Sequence, residues 1–390
     1  MSRYHIAMIA PFGIRPKGTL LARMLPLAQA LHRRGHQVTI VAPPVHNPQD
    51  AGTQVVQGGV PVIHTAHTPG PVGMIVQSNA LLQTALRAHP DLVHVFKPKG
   101  YAGFAALAAR LTRPRLPLIL DTDDWEGPGG WNDLLPYPAP AKALFAWQEH
   151  DLPRRAHAVT VASPTLQSLV WSMGVPAERV LLLPNGIVHA PHPPSLPRDP
   201  HAVPQLVLYT RFWEFAREEL VAALVAIHQA RPDARLVVIG RGEAGEEQHF
   251  AQLAAQAGLS AMITQHGWLE PAHIPPILAA SDLALAPIRD TLINRARGMA
   301  KLLELLGAGV PVVANDVGIA RDYIGSGGIL TPPGDPAAFA SAVVRLLNDP
   351  ALRQQAAYAA RTAVVRYAWD ALAPTAEAAY ALGKRNAHRA

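Results

Sequence analysis

Lys301 and Glu304 lie three apart in K-L-L-E-L-L, a run of good helix formers, so both project from one side of a short helix. Gly307 and Gly309 can end that helix, and Val310 to Ala314 reads as a strand buried on both faces. Arg295, Arg297 and Lys301 cluster at the helix start, where unpaired N–H groups already favour an anion such as a phosphate. Read without that anion, the pair is an exposed ion pair worth about 0.2–0.5 kcal/mol. A second basic group, Arg211 and Arg217, opens the loop after the apolar strand Leu206 to Thr210. Arginine suits phosphate through its planar, bidentate donors. An acidic group stands apart from both: Asp121, Asp123, Asp124 and Glu126 follow the apolar strand Leu116 to Leu120. Unpaired buried carboxylates are costly, so such a cluster points to chemistry, to a cation, or to ion pairs with neighbouring arginines. A D-x-D metal site for a nucleotide diphosphate is one reading, since hard cations take oxygen ligands.

The elements that must position these groups alternate strand and helix, which predicts parallel sheets. Tyr4 to Pro11 reads as a strand and Leu20 to Arg34 as an amphipathic helix ended by Gly35. Gln37 to Ala42 is the next strand. No G-x-G-x-x-G follows the first strand, which argues against a nicotinamide cofactor. Leu92 to Phe96 is a further strand, and Lys97-Pro98-Lys99-Gly100 leads into a helix. Helix Ala141 to Leu152, strand Ala158 to Ala162 and a helix capped by Ser163 complete a first half. The Pro-rich stretch 189–204 has no apolar periodicity and reads as a linker. Beyond it come strands at Leu206 to Thr210, Leu236 to Ile239, Ile263 to His266 and Leu283 to Pro287, then terminal helices from Pro336.

The chain of 390 residues, 49% hydrophobic and 16% charged, suits two globular domains. No apolar run reaches the length of a membrane span, and M-S-R-Y-H-I-A-M-I-A-P reads as a first strand, not a cleavable signal. There is no cysteine, which excludes disulfides, thiolate metal sites and a cysteine nucleophile. The expected location is cytoplasmic. A net charge of +6 suits anionic partners: a nucleotide sugar, or peripheral contact with an anionic membrane face. No zinc-finger spacing, aromatic RNA-binding motif or dense basic tract is present, which argues against nucleic acid.

The stretch K-L-L-E-L-L-G-A-G-V-P-V-V-A resembles the donor-binding segment of GT-B glycosyltransferases, in particular the retaining family 4. That resemblance implies two facing Rossmann-like α/β/α domains with an interdomain cleft. It implies domains at 1–188 and 205–366, with a C-terminal helix, 367–390, crossing back to the first. It makes Glu304 the ribose-binding residue and Lys301 a diphosphate residue. Many members carry an earlier Glu eight positions upstream; here that place is Ala296. Arg211 matches the Arg that grips the diphosphate, with Arg217 one place late for its usual basic partner and Arg295 a further candidate. Gly267 and Trp268 match a loop touching the nucleotide base. Pro184-Asn185-Gly186-Ile187 resembles the family's hinge motif.

In the first half the resemblance puts Lys17, Gly18 and Thr19 at the cleft, though a tight turn would need Gly18 equally. It puts His94 at the acceptor side; a lone His in an apolar strand is otherwise a core residue. It sets Asp123 where the family's reacting-centre His stands and Asp124 on its Asp, and it displaces the metal reading, since GT-B enzymes generally need none. Trp125 and Trp131, with the glycines between them, would form a mobile lid that stacks on a sugar. The implied activity is transfer of a sugar, with retention, from a nucleotide diphosphate sugar to a hydroxyl of a glycan, lipid-linked or small-molecule acceptor. No cofactor or metal is called for. A GT-B nucleotide-sugar epimerase and a non-catalytic sugar-nucleotide-binding protein are the alternatives.

Overall fold

The protein is described here from a computed structural model covering residues 3–14, 19–45, 47–66, 68, 71–188 and 203–389. The chain divides into two compact units. Unit 1 comprises 1–188, Ala296–Gly298 and Ala368–Ala390; unit 2 comprises His189–Arg295 and Met299–Tyr367. The expected linker 189–204 lies outside the described residues except for Val203 and Pro204.

Unit 1 is built on eight strands: β1 His5–Ile9, β2 Gln37–Ala42, β3 Gln54–Gln57, β4 Val60–His64, β5 Leu92–Phe96, β6 Leu118–Thr122, β7 Ala158–Val161 and β8 Val180–Leu182. Their order is β3-β4-β2-β1-β5-β6-β7-β8, parallel except for the β3–β4 hairpin. Along β1 the side chains alternate faces, Ile6 and Met8 joining one core and Ala7 and Ile9 the other. Both faces are covered, which is why the strands read as continuous apolar runs. The first core also takes Trp369, Leu372, Ala376 and Tyr380 from the last helix, Trp369–Arg389.

The helix expected over Leu20 to Arg34 opens with a π-turn, Leu20–Met24, before the α-helix Leu25–Arg33. Leu25 N–H donates to Leu20 O, five residues back. Pro26 has no N–H to donate and its ring crowds the preceding turn, so the wider turn relieves a regular helix there. The strand expected to end at Leu120 runs two residues further, so Asp121 and Thr122 belong to β6 and not to the loop. The extra length is held by the neighbouring strands: Asp121 pairs with Phe96 of β5 and Thr160 of β7, and Thr122 with Val161.

Unit 2 carries six parallel strands: β9 Gln205–Tyr209, β10 Arg235–Ile239, β11 Ile263–Gly267, β12 Leu283–Ala286, β13 Val312–Asn315 and β14 Gly328–Thr331, in the order β11-β10-β9-β12-β13-β14. The helix carrying Lys301 and Glu304 spans Ala300–Gly307, and Gly309 leaves it with φ +74. Among the described residues no helix is long and apolar enough to cross a membrane.

Candidate active site

In each unit the strand order reverses at one place. In unit 1 it is β1, between β2 and β5; in unit 2 it is β9, between β10 and β12. Ligands of open α/β sheets bind outside the carboxyl ends of strands at such points.

In unit 2 that end carries Tyr209, Thr210 and Arg211. Lys301 Nζ stands 5.1 Å from the centre of the Tyr209 ring. Burial, and then the Glu304 carboxylate facing it, hold the Tyr209 phenol well above its usual range. Lys301 and Glu304 therefore both reach the residue that closes β9. Glu214, only 5% exposed, folds back beneath them. It accepts from Thr210 Oγ1 at 2.9 Å and Arg211 N–H at 3.0 Å, and its Oε1 lies 3.5 Å from Lys301 Nζ. Phe212 between them is buried with φ +67, a left-handed position rare for a bulky residue. Its N–H donates to Thr210 Oγ1 at 2.8 Å, and Asn294 Nδ2 donates to Glu214 O at 2.8 Å. The Arg211 turn is thus tied down on all sides, while the guanidinium itself reaches out to the exposed Glu243.

The other residues expected on the donor side are placed separately. Arg217 begins the helix Arg217–Ala230 and donates to His249 Nδ1 at 3.0 Å. Arg295 pairs with Asp290, Nη2 to Oδ2 at 2.7 Å, on the surface. Gly267 closes β11 with φ +66, its carbonyl accepting from Gly240 N–H, and Trp268 beside it is 61% exposed. Ala296, at the place of the family's earlier Glu, is fully buried in the core of unit 1 beside Ala162 and Leu166. A carboxylate there would be desolvated without a partner, which accounts for the alanine.

In unit 1 the acidic cluster splits into two. Asp121 is fully buried and takes a bidentate fork from Arg23, Nε to Oδ1 and Nη2 to Oδ2, both at 2.7 Å. Thr160 Oγ1 donates to Asp121 Oδ2 at 2.6 Å. The remaining Arg23 donors go to Asn185 Oδ1 at 2.9 Å and to the carbonyls of Leu183 and Pro184 at 2.8 and 3.2 Å. Here the acid is half of a structural ion pair. Asp123, Asp124 and Glu126 instead surround one ammonium: Lys97 Nζ lies 3.7, 2.8 and 3.2 Å from them. Lys99 Nζ holds the other Glu126 oxygen at 2.9 Å. Thr19 Oγ1 donates to Asp123 Oδ2 at 3.0 Å, and Asp123 Oδ1 is buried with no hydrogen-bond donor among the described residues. Burial pushes the Asp123 carboxyl up to about 6, with Asp124 and Asp121 pushing the same way against Lys97 and Arg23. Burial also holds Glu149, beside this group, well above the carboxylate range.

Two expected acceptor-side residues are interior residues. His94 is fully buried in β5, its Nδ1 3.0 Å from the Tyr380 hydroxyl, and burial pushes it down to about 4, so it is neutral. An acceptor cannot touch it as it stands. Trp125 is no lid: its ring packs in the core, its Nε1 donates to Pro128 O at 2.8 Å, and Gly127 and Gly130 wrap it so closely that a Cβ on either would overlap it or its backbone. Lys17 and Gly18 lie outside the described residues. Arg23, Lys97, Lys99, Tyr209 and Glu214 escaped sequence reasoning. Their signals are an Arg in the apolar first turns of a helix, two lysines at a strand end, a Tyr near the end of the strand Leu206 to Thr210, and one acid three residues after Arg211.

Two α/β units with parallel sheets, each with polar groups at its switch point, define the GT-B class of glycosyltransferases. Residues 18–186 match the glycosyl transferase 4-like domain and residues 204–349 the glycosyl transferases group 1 domain, and the chain belongs to this family. It is a glycosyltransferase that draws on a nucleotide-sugar donor. Among curated relatives, the phosphatidyl-myo-inositol mannosyltransferase of Mycobacterium leprae is 27% identical, over 94% of each chain. Among solved structures, a sucrose-phosphate synthase from Thermosynechococcus elongatus superposes with a TM-score of 0.76 at 19% identity, over 97% of this chain and 98% of that one. HepE from Anabaena, in complex with UDP, gives 0.72 at 20% identity over 97% and 99%.

Proposed function

We propose that the enzyme moves a glycosyl group from a nucleotide diphosphate sugar to an acceptor hydroxyl with retention of configuration. The observation that carries this reading is the gathering of Arg211, Lys301 and Glu304, from two distant motifs, around the carboxyl end of β9. Departure of the nucleoside diphosphate builds negative charge, and fixed cations there lower the barrier. Arg211 and Lys301 are those cations. Each now rests against a carboxylate, Glu243 or Glu214, which a diphosphate would displace or share. Glu304 takes the ribose hydroxyls. In unit 1, Asp123 is the carboxylate assigned to the acceptor hydroxyl; its Oδ1 is buried and its Oδ2 accepts from Thr19 Oγ1, so the acceptor reaches it by displacing that bond. Retention is supported by the family 4 resemblance. The leaving phosphate can itself take the acceptor's proton, so no separate strong base is required. The acceptor is a hydroxyl of a glycan, lipid-linked or small molecule; the mannosyltransferase relative has a lipid acceptor in its name. A panel of UDP-, GDP- and ADP-sugars tests the reading. Transfer releases nucleotide only with an acceptor present, whereas conversion to an epimeric sugar nucleotide without acceptor overturns it.

The enzyme is expected to work in excess chelator. Asp123, Asp124 and Glu126 converge on Lys97 Nζ and not on one another, so an ammonium takes the place a divalent cation would need. Loss of turnover in EDTA, restored by Mg²⁺ or Mn²⁺, would return the acidic cluster to a metal role.

Glu304→Gln is expected to weaken donor binding by about ten- to a hundredfold, as one charged hydrogen bond worth about 1.5–3 kcal/mol is lost. The ribose changes little between ground and transition state, so KM moves more than kcat. Calorimetry with the free nucleoside diphosphate checks it: unchanged affinity would leave Glu304 as no more than a partner of Tyr209.

A further inference from the structure

We infer that Lys97, hydrogen-bonded to Asp124 and 3.7 Å from Asp123, is a positioning residue whose ammonium keeps Asp123 ionised for the acceptor hydroxyl, held in place by a strained turn; this rests on the acceptor role proposed for Asp123. Lys97 is the residue after β5, the strand next to the switch point. Its backbone has φ +48, a strained position for a side chain of this length. The strain is held by several bonds. Lys97 N–H donates to Asp121 O at 2.8 Å, and Lys97 O accepts from Lys99 N–H at 2.6 Å. Gly100, also left-handed at φ +56, is gripped by the Gln148 amide. Its N–H donates to Gln148 Oε1 at 2.7 Å and its carbonyl accepts from Gln148 Nε2 at 3.2 Å. A lysine needing only a surface ion pair needs none of this. The result is an ammonium 9% exposed with three carboxylates within 4 Å.

Among the described residues, the groups facing Asp123 are Thr19 just before the π-turn and Arg23 within it, Lys97 from the end of β5, and Asp121 and Asp124 on its own segment. Glu149 adds a further acid from the helix Ala139–Arg155. Burial and the acids push the Asp123 carboxyl up to about 6; of the two cations opposing them, Lys97 acts more strongly than Arg23. Arg23 is already committed to Asp121 by its fork. Burial works against the charge of Lys97 as well, but the surrounding carboxylates overcome it and hold the ammonium well above its usual range. Lys97 therefore stays charged throughout the interval in which Asp123 titrates. The hydroxyl needs Asp123 as an acceptor, so activity should be present above about pH 6 and fall as pH drops through it.

The test is a pH titration of the Asp123 side-chain carboxyl carbon by NMR in the unliganded enzyme, with Asp123→Asn assigning the resonance. The same variants are then profiled for kcat/KM on the sugar nucleotide that the donor panel selects. In Lys97→Met the carboxyl is expected to titrate about 1 pH unit or more higher, since an opposite charge at this range is worth about 1–3 units. The acid limb of kcat/KM moves with it. Turnover at pH 7 then falls about two- to tenfold and recovers by about pH 9. Lys97→Arg keeps the limb where it is. Lys97→Met/Glu126→Gln removes one charge of each sign, guards against misfolding, and should still show the raised titration. An unmoved Asp123 titration in Lys97→Met, or an equal loss at every pH with the limb in place, overturns the inference. Wild-type turnover in Asp123→Asn would overturn the acceptor role of Asp123 instead, and the NMR titration then decides whether Lys97 governs that carboxyl.

Discussion

Arg211→Ala and Lys301→Ala are each expected to lower turnover by roughly tenfold to a thousandfold, the scale of removing one preorganised charge from a leaving group. The loss should fall on kcat more than on KM, because charge on the diphosphate grows as the glycosyl bond breaks. The structure separates this from a folding defect. Arg211 is 44% exposed and pairs with Glu243, itself 54% exposed, so breaking that pair leaves no buried charge behind. The turn that carries it is held by main-chain and Glu214 bonds that an alanine keeps. Lys301 is more enclosed, at 27%, and its removal takes a cation from Glu214, which is 7% exposed in its side chain. Lys301→Ala should therefore show some loss of melting temperature as well, whereas Arg211→Ala should not. If both cations grip the same diphosphate, the double variant will lose less than the sum of the two single effects. The measurement is release of nucleoside diphosphate with acceptor at saturation. Near wild-type rates in both single variants would remove the cations from the mechanism.

The parts of this site legible in the sequence are those whose geometry is local. Lys301 and Glu304 share a helix face because they are three apart, and they do reach one residue, Tyr209. The alternating strands and helices are legible because a parallel strand buried on both faces needs an unbroken apolar run. The β3–β4 hairpin was also within reach: Gly58-Gly59, at φ +55 and +83, is the kind of two-residue turn that joins such strands. What could not be read is who pairs with whom. The acids from Asp121 to Glu126 look alike in sequence, yet Asp121 points inward from β6 to Arg23, 98 residues away. Asp123 and Asp124 meet Lys97 from another strand. Strand period separates them by face only once the end of β6 is known, and β6 runs two residues past the apolar stretch. His94 went the other way: its type suggested chemistry, but its partner Tyr380 lies 286 residues on, in a helix whose docking no local pattern reveals.

Arg23→Met is expected to destabilise the fold by about 3–5 kcal/mol, the cost of breaking a buried ion pair from one side. Against a typical stability of about 5–15 kcal/mol that is a large share. The reason lies in what it leaves behind. Asp121 is fully buried and would keep, among the described residues, only Thr160 Oγ1 as a side-chain donor. The Leu183 carbonyl and Asn185 Oδ1 would also lose a donor just where the chain leaves the sheet. Lysine is no substitute: the guanidinium spends five N–H bonds in fixed directions, and a Lys ammonium has three and no fork. Lys at position 23 would also give up the contact of the Arg23 guanidinium carbon with the Trp369 ring, 5.9 Å from its centroid. Most of the loss is the unpaired carboxylate and not the attraction itself, so Arg23→Met/Asp121→Leu should recover a substantial part of it. Thermal melting of the full chain, followed in the near-ultraviolet circular dichroism, gives the four corners of this cycle. If Arg23→Met melts as the wild type does, or the double variant is no better than the single one, the ion pair is not what holds β6 to the π-turn and to the segment Leu183 to Asn185.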